Sequence, residues 1–144
     1  MIEQDTVKLL RECDAGIKMG TSSIDDVLDK VRSRSMKNSL ETCRSEHSKL
    51  ENECSQLLCS FGDGGKDPNV MAEGMSWIKT NVKLAFDESD ATIAELMTDG
   101  CNMGVKSLNR YLNQYKAADE RSKDITKRLI KLEQQLITDM QGYL

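Results

Sequence analysis

The sequence predicts an all-α protein, a bundle of four long helices arranged as two hairpins, and three observations carry this. The composition is helix-forming: eight methionines stand against one proline, two phenylalanines and one tryptophan, a balance poor in strand formers. Apolar residues recur at alternating spacings of four and three along four stretches, the pattern of a helix with one buried face. One strong breaker, FGDGGKDP at 61–68, separates those stretches into two pairs.

The first stripe covers residues 3–32 through Leu10, Cys13, Ile17, Gly20, Ile24, Val27 and Val31. Ser33 to Ser35 is a short polar connection. The second stripe then runs Met36, Leu40, Cys43, His47, Leu50, Cys54, Leu57 and Phe61. So short a connection folds the two helices into an antiparallel hairpin over 1–60 and sets Gly20 near the level of His47. The breaker opens a helical crossover, 61–89, in which Met71, Met75, Ile78, Val82 and Ala85 mark a shorter helix. Ala94, Met97, Cys101, Gly104, Leu108, Tyr111 and Tyr115 form the third stripe. The fourth is Ile125, Leu129, Leu132, Leu136, Met140 and Tyr143, and AADE at 117–120 joins the two into a hairpin over 90–144. A chain of 144 residues is read as one domain, 1–144, able to bury a core without staples.

The chain also repeats itself. IKMGTSSIDDVL at 17–28 aligns with CNMGVKSLNRYL at 101–112, so that seam falls on seam. HSKLENE at 47–53 lies over LIKLEQQ at 129–135, which pairs His47 with Leu129 and Glu51 with Glu133. The hairpins therefore read as pseudo-repeats. Gly16 and Gly20 recur as Gly100 and Gly104. Glycine inside a helix costs about 1 kcal/mol relative to alanine. Two readings account for four such sites: close approach of the first helix to the third, or a cavity for a ligand.

A formal charge of -4 offers no basic face to nucleic acid, and VRSRSMK at 31–37 is read as a solvated connection. With no secretory h-region and no long apolar run, a cytoplasmic protein that does not enter the membrane is expected. Five cysteines without C-x-x-C spacing fit reduced thiols. Four of them sit on seams, and Cys59 is the one expected to be exposed.

Two hairpins joined by a long helical crossover, a histidine on the second helix, and the acidic-glycine step TDG at 98–100 give the whole chain a resemblance to the ferritin-like superfamily. It is most similar there to small bacterial ferritin-like domains of unassigned function. The resemblance implies a ferritin-like antiparallel four-helix bundle in which the second and third long helices run parallel. Di-iron members place Glu on the first and third helices and Glu-x-x-His on the second and fourth. Here Arg44 stands three residues before His47, Thr126 stands three before Leu129, and Ile17, Gly20, Cys101 and Gly104 occupy the level where the other glutamates are needed. One of the six ligands survives. No catalytic residue, metal or cofactor is therefore assigned.

Two function classes remain. RSEHSKLENE at 44–53 gathers Glu46, Glu51 and Glu53 around the only histidine. His47, Glu51 and Glu133, with Gly20 and Gly104 beside them, either hold a metal or small ligand or form a packed layer in which the imidazole bonds to Glu51 one turn on. Trp77 and Leu84 lie off the crossover stripe, and Met19 and Met103 lie off theirs at repeat-matched positions. These four are a candidate surface for a protein partner or for self-association into a homo-oligomer. The expected function is protein contact by a bundle lacking a di-iron site, with ligand binding at His47 as the alternative.

Overall fold

The computed structural model describes residues 2–62 and 88–144. The expected crossover helix, with Trp77 and Leu84, lies outside the described residues. Four long helices account for most of the rest: α1 (Ile2–Val27), α2 (Arg34–Ser60), α3 (Asp90–Gln114) and α4 (Glu120–Met140). No strand occurs among the described residues, and none of their helices is long and apolar enough to cross a membrane. α1 is shorter than its stripe, because the chain tightens into a 3-10 turn at Leu28–Lys30 before the connection.

Three of the four helices begin at a side-chain cap. The Ser33 hydroxyl accepts the Met36 N–H, that of Ser89 accepts the Thr92 N–H, and the Asp119 carboxylate accepts the Ser122 N–H. Each satisfies an amide that the first helical turn leaves without a backbone partner. A second 3-10 turn, Gln141–Tyr143, ends the chain.

Hydrogen bonds between helix ends fix the directions. Asp90, the first residue of α3, accepts the backbone N–H groups of Arg32 and Ser33 at 2.8 Å each. α3 thus starts where α2 starts, and the two run parallel. At the opposite end, Asp5 accepts the Ala117 N–H and Thr6 accepts the Asp119 N–H, so α1 and α4 start together. The order is up, down, down, up. The end of α2 and the start of α3 therefore lie at opposite ends of the bundle, about 40 Å apart for a helix the length of α2. α1 packs on α2, α3 on α4, and α2 on α4, while α1 also touches α3 and α4.

The core divides in two. One cluster holds Ile24, Val27, Met36, Leu40, Cys43, Met97, Cys101, Leu136 and Met140, among others. The other holds Leu10, Cys13, Ile17, Leu50, Cys54, Leu58, Leu108, Ile125, Leu129 and Ile130. On every helix the break falls at one level: at Gly20 on α1, His47 on α2, Gly104 on α3 and Glu133 on α4.

Candidate functional site

Cross-helix contacts show that these four residues share a layer. On α1 and α4 the pairs Thr6–Asp119 and Cys13–Thr126 are both 113 residues apart, and a Cβ on Gly16 would meet Leu129 at 3.8 Å. The same separation brings Gly20 to Glu133. On α1 and α2 the Arg44–Asp25 ion pair and the Cys54 thiol, which donates to the Leu10 carbonyl, bracket Gly20 opposite His47. On α2 and α4 the Ser35–Tyr143 and Glu53–Arg128 contacts bracket His47 opposite Glu133. Gly104 touches Glu133 directly: a Cβ there would stand 2.5 Å from Oε2 and 2.6 Å from Oε1.

His47 is completely buried. Its Nδ1 lies 2.8 Å from the Cys43 carbonyl oxygen. A carbonyl only accepts, so Nδ1 carries the proton and Nε2 presents a lone pair. That Nε2 has no hydrogen-bond partner among the described residues. Burial pushes the ring below its ordinary pKa, against a smaller opposite effect of the Cys43 bond, and the imidazole is neutral at pH 7. In place of the expected bond to Glu51, which is only half-buried, the ring bonds to the carbonyl one turn back.

Glu133 is 1 % exposed. Burial raises its carboxyl to about 8, because a low-dielectric interior disfavours the anion. Its Oε2, too, lacks a hydrogen-bond partner among the described residues. The carboxylate also acts on two thiols near the layer. Burial pushes Cys43 up to about 12, with Glu133 the next cause, and the same two causes in the same order raise Cys101.

Several expected details change. Leu132 belongs to the α4 stripe of the sequence, but the buried residues of α4 are Ser122, Ile125, Thr126, Leu129, Ile130, Glu133, Leu136 and Met140, and Leu132 is only partly covered. Three of these eight, Ser122, Thr126 and Glu133, are polar. Ser122 and Thr126 bury their hydroxyls by donating to the carbonyls of Asp119 and Ser122, and Thr126 also meets the Cys13 thiol at 3.0 Å. The partner of His47 by level is Glu133, while Leu129 belongs to the further core cluster. At Gly104 the missing side chain makes room for the Glu133 carboxylate, which a Cβ there would meet. Asp14 lies outside the α1 stripe of the sequence. It is 1 % exposed, binds Lys18 at 2.9 Å, and has one oxygen without a hydrogen-bond partner among the described residues.

Among the other acidic neighbours of the histidine in sequence, Glu46 pairs with Lys49 and Glu53 with Arg128 on the outside. Arg44 pairs with Asp25. No group of three or more His, Cys, Asp or Glu side chains among the described residues is arranged to hold a metal ion. The grooves along α2 and α4, beside Glu53 and Arg128, are lined by neither His47 nor Glu133. Met103 is 67 % exposed and Met19 half-buried. Cys59 is exposed and the other four cysteines are buried. Comparison with known protein families, with curated proteins and with solved structures finds no match for this chain.

Proposed function

We propose that this chain is a binding bundle of ferritin-like connectivity, with its ligand at the central layer formed by His47 and Glu133 and without di-iron chemistry. The observation that carries the reading is a pair of buried atoms, His47 Nε2 and Glu133 Oε2, on residues at one level of the bundle and with no hydrogen-bond partner among the described residues. Leaving a buried polar group unsatisfied costs about 1–3 kcal/mol. Two of them in one layer is a standing cost that a ligand relieves. The up-down-down-up course supports the ferritin-like part, and the recurrence of Gly20 as Gly104 in the same layer supports the pseudo-repeat. Against oxidase chemistry stands the single carboxylate that the described residues bring to the layer, where a two-metal centre needs several.

Native mass spectrometry of the purified protein tests this. A bound mass is expected on the wild type and absent from His47→Leu. A wild type that carries nothing, and whose melting temperature responds to no added metal or small molecule, defeats the reading. Protein contact is the second reading. Exposed Met103 favours it, being a large apolar side chain in open solvent. Light scattering decides it: a dimer that Met103→Lys dissociates supports it, and a monomer at high concentration ends it.

A further inference from the structure

Two properties of the central layer narrow what it holds. The first is space. The Glu133 carboxylate fills the room beside Gly104, the grooves on α2 and α4 do not reach the layer, and packed core lies on both sides of it. Close-packed interiors do not yield to an extra group without strain. An organic ligand with substituents of its own would have to displace that core, whereas a cation with one or two small ligands needs far less room.

The second property is the donor chemistry. The His47 Nδ1–H is held by the Cys43 carbonyl. That second bond is how metal-binding imidazoles are fixed: it sets the tautomer, aims the Nε2 lone pair and raises its basicity. The contacts that bracket His47 and Glu133 set the two residues at one level on neighbouring helices. Calcium and magnesium select oxygen donors, and soft cations select thiolates. An imidazole nitrogen beside a carboxylate suits the borderline divalent ions of the zinc, iron, cobalt and nickel series.

We propose that His47 Nε2 and the Glu133 carboxylate bind one divalent transition-metal cation between α2 and α4. This rests on the reading of the layer as a ligand site. Two protein donors are fewer than the four of a closed structural zinc site, in keeping with the lack of any group of three or more ligands among the described residues. Water or a small anion completes the shell. The cation is therefore exchangeable, and the chain keeps its fold without it.

The test uses the full chain carrying Cys59→Ser, so that the exposed thiol takes no metal, stripped with chelator and titrated with Co²⁺ and Zn²⁺. One cation per chain is expected, with a weak visible Co²⁺ spectrum and no intense thiolate band. Affinity should fall by at least about tenfold in His47→Leu and in Glu133→Gln, the loss typical of even an outer partner of a metal site. Wild type that binds no stoichiometric cation overturns the proposal, as does binding that both variants leave unchanged. A thiolate band that survives both variants also overturns it. Should a variant not fold, ¹⁵N NMR of the single histidine in the wild type decides instead: the Nε2 resonance must move when Zn²⁺ is added, and a stationary one overturns the proposal. If no cation binds, yet the purified protein carries another small molecule that His47→Leu loses, the cation proposal falls and the ligand reading stands. If nothing binds at all, both fall.

Discussion

The Glu133 carboxylate occupies the space that a side chain at position 104 would need, with Oε2 2.5 Å from the place of a Cβ on Gly104. The glycine on α3 and the buried acid on α4 are thus one packing unit. Gly104→Ala gains up to about 1 kcal/mol of helix propensity but displaces a buried carboxyl, an overpacking cost of about 1–3 kcal/mol. A lower melting temperature is expected. In a Glu133→Ala background the clash is gone, and the same substitution should stabilise. Urea melts of the four proteins measure the coupling, and additive effects would show that the two residues do not compete for that space.

Glu133 also gives stability a pH dependence. Its folded pKa, about 8, lies above the ordinary value of 4.5, so the folded state holds a proton that the unfolded state has lost. The contribution is complete below about pH 4.5 and disappears as pH rises through 8, by at most about 1.4 kcal/mol per unit. Metal-free protein should therefore be less stable at pH 8.5 than at 6.5. Glu133→Gln, which cannot ionise, should flatten that fall. Equal pH profiles for the two proteins would mean that the carboxyl is not buried.

The directions of the helices rest on a side chain that was not singled out in the sequence. Asp90 accepts two backbone N–H groups from the α1–α2 connection and ties the start of α3 to the start of α2. Asp90→Ala removes both charge-assisted bonds and should cost about 1.5–3 kcal/mol. Asp90→Asn keeps one acceptor oxygen and should fall between. Thermal melts of the three proteins rank them, and an alanine variant as stable as the wild type would remove Asp90 from the topology argument.

Reading the sequence recovered what depends on periodicity and missed what depends on a polar residue behaving as core. The four helices follow from their 4-3 stripes, and His47 opposite Gly20 follows from a short connection. Glu133 is a candidate in the sequence through its repeat with Glu51, but the α4 stripe runs through Leu132 beside it. In the bundle, Ser122, Thr126 and Glu133 keep the spacing of Leu129, Leu136 and Met140. Their hydroxyls are silenced by carbonyls four or three residues back, and the acid by its raised pKa. Neither effect is visible in a hydropathy pattern. The glycine repeat carries the signal for its burial, since a conspicuously small residue on one helix asks for a large one opposite. That question, put to Gly104, leads to Glu133.

Thiol reactivity should follow burial. Cys13 and Cys43 are each pushed up to about 12 by burial, so almost no thiolate exists there at neutral pH. Cys59 is exposed. Brief treatment of the native protein with iodoacetamide should add a single label, on Cys59, and unfolding should release all five cysteines. Rapid native labelling of Cys101 would show that the central layer opens.

Replacement of His47 by leucine tests the other half of the layer. The substitution removes an Nε2 that lacks a hydrogen-bond partner among the described residues and the Nδ1–H bond to the Cys43 carbonyl. That carbonyl keeps the helical N–H four residues on, so no new orphan is made. Stability of the metal-free protein at pH 7.5 should change by less than about 1 kcal/mol. The imidazole has its folded pKa lowered by burial from 6.5, so below pH 6.5 the unfolded chain binds a proton that the folded one refuses. The histidine's contribution is present above 6.5 and is lost as pH falls towards the folded value. Glu133 acts in the opposite sense over part of that window, but it is common to both proteins, and the difference between them isolates the ring. Urea melts at pH 7.5 and 5.5 should show the leucine variant gaining on the wild type at the lower pH. A variant that instead loses ground there would place the positive charge of His47 in a stabilising pair, and Glu133, its opposite number by register, would be the partner to test next.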